Sequence, residues 1–454
     1  PQHVAKIISL NCAVAGCHNG ISHGAAANLN FSTWETMFLG ASGGPVVIPY
    51  RPDFSTLCFY TNTFSGLGPI SNPTMPIGKT ALSEEDYLTL KNWILEGAPN
   101  NKGEIKFADN SNRSKIYVTN QICGVVTVID ATSKLPMRYI NVGNPAYTDF
   151  PYCIKVSPDK KNWYVSFLAY NGKLQKYDAS NDSYSGQISL GTGVWSTFDI
   201  TSDSKYSFCI DNSNPGRISV VDLDLMSVVT TYTHSGFYYP KSVAINNTTK
   251  KLYAGAYNGN YISVIDFNNL LSPIVKEIIL DGTTTLNTLS VNDPANLLID
   301  ENNNRCYVSC YTSNEIKVID TNKDSVIATV ALNAGPGMLS FSPQKNLLFV
   351  SCMNDTLSYS NHKGSVKIID AITLSVIKTI NTGYQPNGIT VDETRQYAAV
   401  INSNISAQGT EPHHVNGCGG RNGYISFIDL NSLQLIPNKR FELASYPFSA
   451  AFRK

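Results

Sequence analysis

The sequence predicts a multidomain chain: a small α-helical domain over residues 1–104, followed by an all-β seven-bladed propeller over residues 105–454. Three observations predict it. The texture changes near residue 105, from helix-like segments set in long Gly/Pro loops to short β-type runs. One phrase, an apolar pair followed by Asp, then recurs seven times. The strand that the first of these units lacks stands at the far C-terminus.

The composition fits that picture. A chain of 454 residues is too long for one ordinary core, and 42% hydrophobic with 15% charged residues is globular material. Lys plus Arg (34) equals Asp plus Glu (34), so no electrostatic footprint for nucleic acid or an anionic membrane is present. No stretch reaches the roughly 18 apolar residues of a membrane span. The start at Pro1 reads as a processed end from which an export signal has gone, and it leaves a lipid anchor ahead of Pro1 open.

The first region ends in a well-marked helix. Ser83 is placed as N-cap with Asp86 three residues on, Leu82 and Tyr87 bracket that cap, and Leu90, Trp93 and Ile94 follow at helical spacing. Gly97 and Pro99 stop it, and Pro99–Glu104 reads as a linker. A shorter amphipathic segment, Val4–Leu10, leads into Cys12.

The repeat phrase ends on Asp130, Asp178, Asp222, Asp266, Asp320, Asp370 and Asp429, 44 to 59 residues apart. A second phrase precedes most copies, as Tyr117-Val118-Thr119-Asn120 and Tyr307-Val308-Ser309-Cys310. A third opens each unit with a strand and a polar turn, as Leu339-Ser-Phe-Ser-Pro343. Each unit therefore holds about four strands, one propeller blade. The first lacks its opening strand, which Pro447–Arg453 supplies, so the ring closes and few edges stay open. Residues 108–454 resemble the YVTN-repeat β-propeller family, whose signature is the Tyr117–Asn120 phrase. The resemblance implies the fold and says almost nothing of chemistry.

Residues 11–20 read Asn-Cys-Ala-Val-Ala-Gly-Cys-His-Asn-Gly. A c-type haem needs two thiols for its vinyl groups and an imidazole directly after the second, to sit under the iron. The common spacing has two residues between the cysteines. Here there are four, with Gly16 and small alanines to let the loop bulge, and Cys17-His18 is intact. The other reading is a Cys12–Cys17 disulfide with a bystander histidine. Met75, between Pro73 and Pro76, is placed as a thioether ligand held by a stiff loop. The first 100 residues resemble planctomycete-type cytochrome c. The motifs are Gly44-Pro45-Val46-Val47-Ile48-Pro49, Asp53-Phe54-Ser55-Thr56-Leu57, Met75-Pro76 and Trp93-Ile94-Leu95-Glu96-Gly97-Ala98, in the family's order; the four-residue gap between the cysteines departs from it. The resemblance implies a small α-helical cytochrome c domain, one covalent heme c, His18 as proximal and Met75 as distal iron ligand, and electron transfer.

Other candidates carry less. His413, His414 and Cys418 in the insertion 404–422, with His362 in a similar insertion one blade earlier, make a speculative second metal or cofactor site. The plain alternative is two surface loops. Cys209, Cys310 and Cys352 share one repeat position and read as small buried residues. Cys123, Cys153 and Cys418 are candidates for disulfides of underivable pairing. The Asp residues at blade turns read as turn caps.

The expectation is an exported c-type cytochrome, periplasmic or at the cell surface. It carries electrons through a His/Met-ligated haem to a redox partner protein or assembly, and the propeller is its docking platform. An electron carrier is favoured over a catalytic oxidoreductase. The alternatives are an oxidoreductase with a second site near 404–422, and a structural surface or binding module.

Overall fold

The computed structural model describes residues 2–144, 149–414 and 417–454. Its strands form seven four-stranded antiparallel sheets, each wound in chain order from an inner to an outer strand. The middle strands are covered on both faces by neighbouring blades, so Val125–Asp130 and Tyr397–Asn402 are buried along their whole length. The outer strands face solvent, and Ser375–Ile380 is mostly exposed.

The repeated phrases have repeated jobs. All seven phrase-ending aspartates cap the turn that follows, accepting backbone N–H groups two or three residues on: Asp130 from Ser133 at 2.7 Å, Asp320 from Asn322 at 2.9 Å, Asp370 from Thr373 at 2.8 Å. The tyrosine of the second phrase joins one blade to the next. Tyr117 donates to Asp182 at 3.0 Å and Lys115 pairs with the same carboxylate at 2.8 Å. Three joints further round, Tyr253 and Lys251 do the same to Asp324, at 2.9 and 2.6 Å. The asparagine ties the two middle strands of its own blade, Asn120 donating to Thr127 and Asn402 to Ser426, both at 2.8 Å.

The ring closes as the sequence requires. Lys115–Asn120 lies between Val125–Asp130 and the C-terminal strand, pairing Tyr117 with Ala451 and Lys115 with Arg453. Two further links cross the seam between the last blade and the first. Tyr397 donates to the Ala131 carbonyl at 2.8 Å, and a disulfide joins Cys123 to Cys418.

The expected small α-helical cytochrome c domain is not there, and the fold class is corrected accordingly. The molecule is almost entirely propeller. Ahead of it lie four short helices, α1 (Gln2–Asn11), α2 (Trp34–Met37), α3 (Thr56–Thr61) and α4 (Glu84–Leu95). Loops make up most of the rest. Leu90, Trp93, Ile94 and Ile7 do cluster, and Ser83 caps α4 by accepting from Asp86 N. A self-contained helical domain would close its apolar surface on itself, however, and this segment turns part of its own to the ring. Ile48 is buried with Val125, Tyr139 and Ala444 of the first and last blades. Phe54 stacks on Tyr139 at 4.2 Å, beneath the Arg51 guanidinium at 4.4 Å, and Arg51 donates to Asn141 at 3.0 Å. The segment is a strap across the closing seam. No helix among the described residues is long and apolar enough to cross a membrane.

Candidate functional site

Chemistry-bearing side chains gather at three places: the Cys12–His18 loop, the insertion in the last blade, and the face and channel of the ring.

Helix α1 delivers Cys12, whose N–H bonds back to the Ile8 carbonyl at 2.8 Å. The loop returns so that His18 N donates to the Cys12 carbonyl at 3.1 Å, with Gly16 at φ +80° making the bulge. Cys12 and Cys17 are both unpaired. Burial, then nearby Cys17, pushes the Cys12 thiol up to about 11, against the opposing charge of Lys79. Burial also holds the His18 imidazole below its usual value, partly offset by backbone at Leu29 and Ala26. Its Nδ1 is buried without a hydrogen-bond partner, and Phe31 meets the ring edge-on at 5.6 Å. Met75 sits on a loop tied to α3 by its N–H to the Tyr60 carbonyl at 2.7 Å. That loop carries Lys79 to the end of α1, where it donates to the Leu10 carbonyl at 3.4 Å. Cys12, Cys17 and His18 are thus gathered, and the Met75 loop approaches them through Lys79.

The insertion residues are engaged separately. Cys418 is committed to Cys123. His414 lies 3.6 Å from Glu442 and packs on Phe59 of the strap, ring centres 5.2 Å apart. The His413 carbonyl accepts from Tyr60 at 3.0 Å. His362 contacts the Gly383 carbonyl at 3.0 Å and the Tyr384 ring. Among the described residues no group of three or more His, Cys, Asp or Glu side chains is placed to hold a metal ion. Val415 and Asn416 of the insertion lie outside the described residues. Cys209, Cys310 and Cys352 are buried in three different inter-blade cores, and burial pushes each thiol up to about 12. They are packing residues.

The loops that join a blade's two middle strands, and those that lead to the next blade, emerge on one face. Within the ring runs a channel of about 440 Å³, lined by inner-strand residues from all seven blades. Lys155 and Asp199, on the inner strands of neighbouring blades, pair along its wall at 3.1 Å. At its mouth on the loop face, Tyr239, Asp293, Gln385 and Tyr446 each precede the proline that opens an inner strand, and each has positive φ, 42° to 58°. This repeated position was missed in the sequence, although its X-Pro recurrence at strand starts was there to be read.

No protein-family model matches the chain. The uncharacterized protein YncE of Salmonella typhimurium is 26% identical over 202 residues, 44% of this chain and 52% of that protein, and YncE of Salmonella typhi matches equally. Antigen Lp49 of Leptospira interrogans is 22% identical over 252 residues, 54% of this chain and 53% of its own. The chain spans about half the length of the curated relatives it matches. A solved structure of a functionally unknown protein from Desulfotomaculum acetoxidans superposes with a TM-score of 0.56 at 14% identity, covering 74% of this chain and 98% of that one. With the seven closed sheets, these likenesses support a β-propeller binding or structural module. None of them supports cytochrome electron transfer.

Proposed function

We propose that the chain is a docking module on which a protein partner seats at the loop face of the ring. One observation carries this reading. Large apolar side chains stand exposed on that face in loops from most of the blades: Tyr170 at 73%, Leu289 at 83%, Val291 at 67% and Leu357 at 79%, with Ile122 and Ile405 beside the seam. Exposed large apolar side chains on a loop surface are the usual anchors of a protein contact. Introducing a charge by leucine-to-glutamate substitution tests it. The pair Leu289→Glu and Leu357→Glu should abolish co-purification of a partner that crosslinks to the wild type. Leu225→Glu, on a turn of the opposite face, should retain it. Equal retention by both variants removes the reading.

A second reading concerns the strap. Cys12 and Cys17 are proposed to carry one haem c, with His18 and Met75 as iron ligands. It is supported by two unpaired thiols beside a histidine whose Nδ1 lacks a protein partner. When bound, the group supplies one-electron chemistry. The chain's own residues would anchor it through the thiols, and Pro73 and Pro76 would stiffen the loop bearing Met75. Electron exchange with a redox partner protein belongs to this reading alone. Protein matured in a host that attaches haem should show a haem absorption band that survives acid–acetone extraction; colourless protein ends it. The Cys123–Cys418 disulfide supports an exported, periplasmic or extracellular location for either reading.

A further inference from the structure

We infer that the central channel holds a binding site for a small zwitterion, an α-amino acid with an apolar side chain. The strand register defines the site. In each blade one inner-strand residue pairs with the tyrosine of the second phrase or its counterpart, and these residues form one level of the channel. Four of them are polar. Lys155 and Asp199 stand on neighbouring blades, and Ser340 and Thr390 stand on two neighbouring blades across the ring. The rest are Ala244, Leu298 and Ala451. The next position along is apolar in every blade, and Val156, Ile245, Ile299 and Phe452 of that level also line the channel of about 440 Å³. A polar level set on an apolar one, in a cavity of small-ligand size, is the make-up of a binding site.

The polar level selects the ligand. The Lys155 and Asp199 side chains lie within the ring yet stay 41% and 21% exposed. Burial opposes the Lys155 charge, but Asp199, and then Cys153, hold the ammonium above its usual value. Lys155 spends one N–H on Asp199 Oδ1 and keeps the others. Asp199 Oδ2 accepts the Ile245 N–H at 3.1 Å, and each carboxylate oxygen keeps a lone pair. The pair thus faces the channel as a dipole without net charge. A bare anion is opposed by Asp199 and a bare cation by Lys155. An ammonium and a carboxylate on one carbon lie head to tail against the pair and satisfy both ends. The half-buried Ser340 and Thr390 hydroxyls bond to no other protein group among the described residues, and they close on the ligand from the far side. The apolar level takes the ligand's side chain. The site lies inside the ring and does not depend on a protein seating on the loop face.

Calorimetric titration of the full chain with L-leucine and with L-phenylalanine tests the inference. Saturable binding of at least one is expected. For leucine, the analogues 4-methylpentanoate, which lacks the ammonium, and leucinol, which lacks the carboxylate, should each bind about tenfold more weakly or worse. Lys155→Gln should weaken binding by a similar factor, and Leu225→Ala on a distant turn should leave it unchanged. Should Lys155→Gln fail to fold, the pair Ser340→Ala and Thr390→Val takes its place, each variant being checked by its melting curve. No saturable heat with either amino acid up to about 10 mM overturns the inference. So does equal binding of an amino acid and its one-charge analogue, or undiminished binding by a folded variant of the polar level.

Discussion

At the scale of single residues, Asp324 shows how a repeated phrase becomes a joint. Its carboxylate is 2% exposed and takes Tyr253, Lys251 and Lys276 at once. Burial alone would raise this carboxyl, yet the hydrogen bonds from Lys251, Lys276 and Tyr253 hold it below the usual carboxylate range. A carboxyl depressed on folding contributes stability that is present above the unfolded value near 3.9 and is lost as pH falls through the folded one. Asp324→Asn should therefore destabilise the protein at pH 7 while losing less than the wild type between about pH 4 and pH 2, as urea midpoints at each pH would show. Tyr253→Phe removes one donor from a carboxylate that keeps two lysines, and should cost only about 1 kcal/mol. The tyrosine and the lysine two positions before it stand in the sequence as Lys115-x-Tyr117 and Lys251-x-Tyr253, so half of each joint was legible. The acceptor was not, because Asp182 and Asp324 lie in turns of the following blade, 65 and 71 residues on.

At the scale of elements, local phrases were readable and long-range partners were not. A strand announces itself by its own apolar run, so Val125–Asp130 and its six counterparts were visible. The capped helix α4 was equally plain, since Ser83 and Asp86 are close in sequence. The strap misled because Val46-Val47-Ile48 and Phe54 look like the core of a helical domain until their partners are known, and Ile48 and Phe54 have theirs in other elements. The insertion 404–422 misled similarly: its histidines and cysteine suggested a metal, whereas Cys418 closes a disulfide to a residue 295 positions away. That bond ties the insertion to the first blade, and the insertion in turn holds Tyr60 and Phe59 of the strap. Cys123→Ser should thus loosen three elements together. A loss of about 2–4 kcal/mol is expected, with new protease cleavage within 404–422 and faster cleavage of the strap. Cleavage confined to the insertion would show that the strap is held by Arg51 and Phe54 alone.

At the scale of the whole molecule, the decisive fact is that the ring is closed by its own C-terminus. Removing Pro447–Lys454 would leave Lys115–Asn120 as an open edge in the first blade, with Tyr117 stripped of its Ala451 neighbour. Such an edge pairs with other chains, so the truncated protein should aggregate where the full chain stays monodisperse in scattering. The strap gives the complementary case. Residues 1–108 cover the seam from outside and contribute no strand to any sheet. A chain beginning near residue 109 should therefore keep a β-type circular dichroism spectrum and melt cooperatively. Its melting temperature should be lower, since Tyr139 loses the stacked Phe54, and Val125 and Ala444 lose Ile48, at about 1.5–3 kcal/mol for each large side chain uncovered. The separated strap faces the opposite balance. Its helices have 10, 4, 6 and 12 residues, too short to persist alone, and its outward apolar residues would meet water. Expressed without the ring it should show little helix and no cooperative transition. A cooperative, helical melt from residues 1–108 alone would mean that the segment is a domain in its own right after all, and that its contacts with the rim are incidental to its folding.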